Sequence, residues 1–127
     1  MLIHVSANNP KPMYEQIINE FERLIVTGHL QPNQSIPSIR ALSRDLTTSS
    51  ITVRRAYQEL EHNGFIYTRA GKGSFVAHLN EEEIMRWKLE QVESPLQNAI
   101  NQAMRLGLTD TEFQHLVTQL WDHAKNE

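Results

Sequence analysis

Cysteine is absent from the 127-residue chain. No disulfide framework, redox centre or thiolate metal site can be built from it. No apolar run approaches the roughly 20 residues of a membrane helix, and the N-terminus lacks the basic and apolar regions of a secretory signal. The expectation is a soluble cytoplasmic chain with no membrane partner. Catalytic signatures are missing too. Gly71-Lys72-Gly73 lacks the spacing of a phosphate loop and no helix follows it. There is no nucleophile elbow, no paired-carboxylate motif and no Ser/His/Asp arrangement, so an enzyme is not expected and no catalytic residue is nominated. The histidines His4, His29, His62, His78, His115 and His123 are scattered. None forms the i, i+4 pair that puts two metal ligands on one helix face. His115, Asp122 and His123 make at most a weak cluster, so neither a metal nor a cofactor is expected.

Positive charge is scarce overall, with a net charge of −3. Its distribution is uneven. Residues 1–78 hold eight Lys/Arg against six Asp/Glu, and residues 79–127 hold four against nine, so the halves carry +2 and −5. Clustering on one face matters more to a polyanion than the total. Six of the basic residues fall between positions 40 and 72, with three acidic ones among them.

Residues 37–76 carry the clearest pattern. Ile39, Leu42 and Leu46 form one helical stripe. Val53, Ala56, Tyr57 and Leu60 form a second, after the polar break Thr47-Thr48-Ser49. Two short helices joined by a tight turn make a helix-turn-helix. The second leaves Ser50, Thr52, Arg54, Arg55 and Gln58 off its apolar stripe, and the N-terminal residues of such a helix reach base edges in the major groove. Asn63-Gly64 ends it. A hairpin follows, with Phe65 to Thr68 as one strand, Ala70-Gly71-Lys72-Gly73 as the turn and Ser74 to Val76 as the return. Arg69 and Lys72 lie at or near its tip, where phosphates or the minor groove come within reach. This is a winged helix.

The order Pro37-Ser38-Ile39-Arg40-Ala41-Leu42, then Thr52-Val53-Arg54-Arg55-Ala56-Tyr57-Gln58-Glu59-Leu60, then Gly64, then Gly71-Lys72-Gly73-Ser74-Phe75-Val76 resembles the DNA-binding domain of the GntR family of bacterial transcription regulators. The short tail and the run at 55–60 resemble its YtrA-type branch. At Ser49-Ser50-Ile51 the chain departs: many members carry Arg after the cap, and YtrA-type members often carry Asn-Pro-Asn. The resemblance implies that Arg40 and Arg54 point at DNA, with Ser38, Ser49 and Gly71 completing the surface. It also implies repression, often of the regulator's own operon together with ABC-transporter genes.

Around this core the chain is expected to be scaffold. Residues 1–12 are an extended arm and a Pro-punctuated loop, packed on the domain or on a partner subunit. Met13, Ile17, Phe21, Leu24 and Ile25 stripe a first helix, with Tyr14 near its start packing on the wing or tail, or else touching a phosphate. Residues 34–36 are expected as a brief strand that completes a three-stranded sheet with the wing. From residue 79, Met85, Leu89, Val92, Leu96, Ala99, Ala103 and Leu106 repeat in spacings of four and three. The stripe keeps phase through Ser94-Pro95, which favours a kinked but nearly continuous helix. Thr109-Asp110-Thr111-Glu112 is a capping box for a last helix, whose Phe113, Leu116, Val117, Leu120, Trp121 and Ala124 form a broad apolar face.

The expected fold is mainly α with a small antiparallel β-wing: a winged helix-turn-helix over residues 1–78 and a helical dimerisation tail over 79–127. Met85, Leu89, Val92, Leu96, Leu116, Leu120 and Trp121 are the nominated dimer contacts. The preferred function is a homodimeric regulator on a palindromic double-stranded operator, because a two-fold dimer presents two identical helices to paired half-sites. The alternatives are a winged helix that binds only protein, and a regulator whose tail or dimer interface holds a small-molecule effector.

Overall fold

A computed structural model describes residues 2–127; Met1, the first residue of the expected arm, lies outside the described residues. The chain divides into two units, Met1–Ile84 and Met85–Glu127. The division falls inside the first turns of a tail helix, later than the boundary expected at 78/79.

The first unit is built on α1 (Met13–Val26), α2 (Ile39–Leu46), α3 (Ser50–His62) and a hairpin of β1 (Ile66–Arg69) and β2 (Gly73–Val76). The apolar stripes of the helices meet in one core. Ile17, Phe21, Leu42, Val53, Ala56, Leu60 and Val76 are essentially inaccessible to solvent. Each large apolar side chain so buried contributes roughly 1.5–3 kcal/mol. Gly28 and Gly64, both at positive φ, end α1 and α3 as expected.

The N-terminal arm packs on this same unit. Ile3 is fully buried. Gln16, the buried polar side chain of α1, accepts from Ser6 N at 2.8 Å and donates to the Ser6 and Lys11 carbonyls at 2.9 and 3.0 Å. Those three bonds satisfy a group that would otherwise be costly to bury.

The expected third strand is reduced to a single bridge, Ser35 with Phe75, beside a two-stranded sheet. The chain around it still bonds to β2, with Asn33 N to Val76 O at 2.7 Å and Ile36 N to Ser74 O at 3.0 Å. On one side the ladder ends at Asn33, whose φ of 67 takes the backbone out of the extended region.

In the second unit, α4 (Glu81–Arg105) and α5 (Asp110–Lys125) are joined through Gly107 at φ 77. The helix is continuous through Pro95. The capping box closes from both sides, with Glu112 N to Thr109 Oγ1 at 3.1 Å and Thr109 N to Glu112 Oε1 at 2.9 Å. These bonds hold the Glu112 carboxyl below its ordinary pKa. Asn80 and Glu83 make the same exchange at the start of α4. Within this unit only Ala103 is buried, with Ile100 and Phe113 half-buried around it.

Two changes probe the first unit. Thr47, in the turn between α2 and α3, is a β-branched residue at φ 52, a conformation that costs an L-residue roughly 1–2 kcal/mol. Thr47→Gly should therefore stabilise the chain by about 0.5–1 kcal/mol after its extra chain entropy is counted. Urea unfolding reads this, and a lower midpoint would show that the Thr47 side chain has a role of its own. The second change is Tyr57→Phe. The Tyr57 hydroxyl donates to the Pro37 carbonyl at 2.7 Å, and burial pushes its pKa well above the ordinary tyrosine value of 10.0. Above about pH 10 the unfolded chain loses a proton that the folded chain keeps, so this stability is present below that pH and is lost as pH rises. Tyr57→Phe should cost about 1 kcal/mol at neutral pH and decline less steeply toward pH ~11. Parallel alkaline limbs in the two proteins would contradict this.

Candidate nucleic-acid interface

The two helix caps of the helix-turn-helix are set by the serines nominated from the sequence. Ser38 Oγ accepts from Ala41 N at 3.0 Å at the head of α2. Ser49 Oγ accepts from Thr52 N at 3.1 Å and lies 2.8 Å from Thr52 Oγ1 at the head of α3. Each helix thus begins in a defined place with its first N–H groups near solvent, the arrangement that suits an anionic oxygen.

On α3 the buried stripe of Val53, Ala56, Tyr57 and Leu60 fixes which residues face outward. At ~100° per residue, Ile51, Arg55 and Gln58 stand opposite that stripe, with Ser50 and Arg54 on its flanks. Ser50, Ile51, Arg54, Arg55 and Gln58 are exposed, and Thr52 is partly so. Arg40 is exposed in the first turn of α2.

Arg55 has a partner within the protein. Its guanidinium lies 3.7 Å from the centroid of the Tyr14 ring, a cation–π contact between α3 and α1. Tyr14 thus stacks on Arg55 of α3, where packing on the wing or tail was expected.

The wing is held at its base and free at its tip. Tyr67 and Phe75 face each other across the strands with ring centroids 5.5 Å apart, and the Tyr67 hydroxyl donates to Asn33 Oδ1 at 2.9 Å. Glu61, at the end of α3, accepts from Thr68 Oγ1 of β1 at 2.7 Å. Arg69 lies 5.7 Å over the Tyr67 ring. The turn closes through Lys72 N to Arg69 O at 3.0 Å. Gly71 and Gly73 take φ of 75 and 111, which leaves Lys72 exposed between them.

Among the described residues the ion pairs are Arg23 with Glu20 and His123 with Glu127. Arg40, Arg54 and Lys72 are therefore exposed cations with no carboxylate neutralising them. No group of three or more His, Asp or Glu side chains among the described residues is placed to hold a metal ion. No helix among them is long and apolar enough to cross a membrane.

Sequence reasoning nominated every residue of this surface except Ile51, which was noted only as part of a departure from the family pattern. The signal was available in its position, four residues before Arg55 and seven before Gln58.

The nominated tail residues Met85, Leu89, Val92, Leu96, Leu116, Leu120 and Trp121 are all exposed within their unit. A hollow of about 280 Å³ lies between α4 and α5, walled by Ile100, Ala103, Met104, Leu108 and Phe113 with a polar rim.

Known proteins resemble this chain in sequence and in fold. The transcriptional repressor YtrA of Bacillus subtilis is 29% identical over 107 residues, which are 84% of this chain and 82% of YtrA. A GntR family transcriptional regulator from Listeria monocytogenes superposes with a TM-score of 0.74 at 28% identity, covering 88% of this chain and 97% of that one. The DNA-binding domain of AraR, solved in complex with operator ORX1, superposes with a TM-score of 0.55 at 30% identity, covering 61% of this chain and 99% of that one. Residues 13–76, from the start of α1 to the end of the wing, match the family described as bacterial regulatory proteins, gntR family, and the chain belongs to that family.

Proposed function

We propose that this protein is a homodimeric transcription repressor that binds a palindromic DNA operator without a catalytic step, in the cytoplasm. The observation that carries the reading is the set of exposed, unpaired cations Arg40, Arg54 and Lys72 on a unit whose α3 is capped, outward-facing and flanked by a wing. Phosphate neutralisation supplies most of the affinity of such a surface, and base contacts supply the choice of sequence. The likeness to an operator-bound AraR domain supports DNA as the partner. The likeness to YtrA, a repressor, supports the sense of regulation.

The dimer rests on the second unit. Leu89 and Leu120 are 61% exposed and Trp121 is 68% exposed. An apolar stripe of this length is the kind of surface that a partner covers, and a second copy supplies the two-fold symmetry that a palindrome needs.

Binding isotherms at fixed salt test the interface. Arg54→Ala should weaken specific binding by ~1–3 kcal/mol, and undiminished affinity in the folded variant would remove Arg54 from the site. Lys72→Ala should weaken operator and scrambled duplex alike and make the slope of log K against log salt shallower by about one per site lost. A loss confined to the operator would mean that the wing reads bases.

Sedimentation of the full-length chain tests the tail. Leu89→Glu or Leu120→Glu changes an exposed position outside the core of the first unit, so that unit should stay folded, while a charge on the buried face of a dimer is costly. Both variants should sediment as monomers and bind the palindrome poorly. A dimer as stable as the unsubstituted one would place the interface elsewhere.

A further inference from the structure

The recognition helix presents one large apolar side chain to solvent where polar ones are the rule. Among the described residues of the first unit, the exposed large apolar side chains are Leu2 at 37% and Ile51 at 78%. A single exposed aliphatic is unremarkable in general; its position is what distinguishes this one. Ile51 is the second residue of α3, opposite the buried stripe and in the turn that enters a major groove first. A β-branched residue gains nothing for the helix there, since Ala or Glu would favour it more.

The neighbours of Ile51 narrow its role. Ser49 and Thr52 spend their hydroxyls on each other and on the cap. Arg55, one turn further along the same face, has its guanidinium stacked on Tyr14. That leaves Ile51 and Gln58 as the uncommitted side chains in the middle of the outward face over the first turns of α3, with His62 at its far end. Isoleucine has no hydrogen-bonding group, so it cannot read a base edge through donors or acceptors. What the major groove offers to such a side chain is the C5-methyl group of thymine.

We infer that Ile51 is a specificity-determining residue that packs against the C5-methyl of a thymine in each operator half-site. The inference rests on α3 being the DNA-reading helix, as proposed above. It assigns the chain a thymine preference at one position.

The test is a methyl-deletion scan with the full-length protein. An operator is first obtained by selection from random duplexes. Each thymine of one half-site is then replaced in turn by deoxyuridine, which lacks only the methyl group. At one position the unsubstituted protein should lose about fourfold in affinity, the equivalent of one buried methyl. Ile51→Ser should bind the thymine and uracil duplexes equally there, and Ile51→Val should keep the discrimination. The inference fails if no thymine shows a methyl effect, or if Ile51→Ser keeps the same thymine-to-uracil ratio. Selection that yields no DNA sequence at all would overturn the DNA-binding reading and this inference with it, whereas a selected operator indifferent to methyl deletion overturns only the role of Ile51.

Discussion

The Tyr57 side chain sets where α3 sits. Its ring stands edge-on to Phe21 of α1, with centroids 5.7 Å apart and planes at 87°. Its hydroxyl reaches the carbonyl of Pro37, just before the Ser38 cap of α2. One residue therefore ties the recognition helix to the scaffold helix and to the entrance of the helix before the turn. A phenol is neutral across the physiological range, and burial raises its pKa further, so it remains a donor. Everything proposed for the outward face of α3 follows from this inward attachment, because a helix fixed on one side has only one orientation left for the other.

The net charge of −3 does not argue against a polyanionic partner once the positions of the charges are known. Six of the first unit's eight exposed cations stand on α2, on α3 and in the wing; Lys11 and Arg23 lie in the N-terminal loop and on α1. Two of the arginines lie over aromatic rings, Arg55 on Tyr14 and Arg69 on Tyr67. A stacked guanidinium is held in place, whereas Lys72 at the glycine-flanked tip keeps its flexibility. Geometry thus separates the two stacked arginines, on α3 and at the wing base, from the unstacked Lys72 ammonium, a point charge suited to phosphate.

Much of this was legible in the sequence because it is local. Helical stripes, the Thr109–Glu112 capping box, Gly64 after α3 and the Gly71-Lys72-Gly73 turn are statements about neighbours three or four residues apart, and each is found where the residues put it. What was not legible depends on distant chain. Tyr14 and Arg55 are 41 positions apart (55 − 14) and meet only once α1 packs on α3. Glu61 and Thr68, on α3 and β1, meet only once the wing folds back beside the helix. The strand at 34–36 has the right neighbours, but the backbone turns away at Asn33, at φ 67, and a single bridge is left. Ile51 was hidden for a different reason. A scan for charge and hydrogen-bonding groups passes over an aliphatic residue, even one whose spacing from Arg55 and Gln58 puts it off the buried stripe.

Pro95 bears on what the tail is for. A proline inside a helix removes one backbone hydrogen bond and crowds the preceding turn, at a cost of about 3 kcal/mol. α4 is nevertheless continuous through it. Its neighbours within the unit, Glu93, Ser94, Gln97 and Asn98, are exposed, so they offer no compensating burial. Val92 and Leu96 lie on either side of the proline, 58% and 44% exposed, on the stripe that keeps its phase across the interruption. Covering what is still exposed of two such side chains is worth roughly 1–1.5 kcal/mol each, comparable with the cost of the proline. Helices draw most of their stability from packing of an apolar face. The proposed second copy would supply that packing at the place where α4 is intrinsically weakest, which couples the folding of the tail to the pairing of two recognition helices.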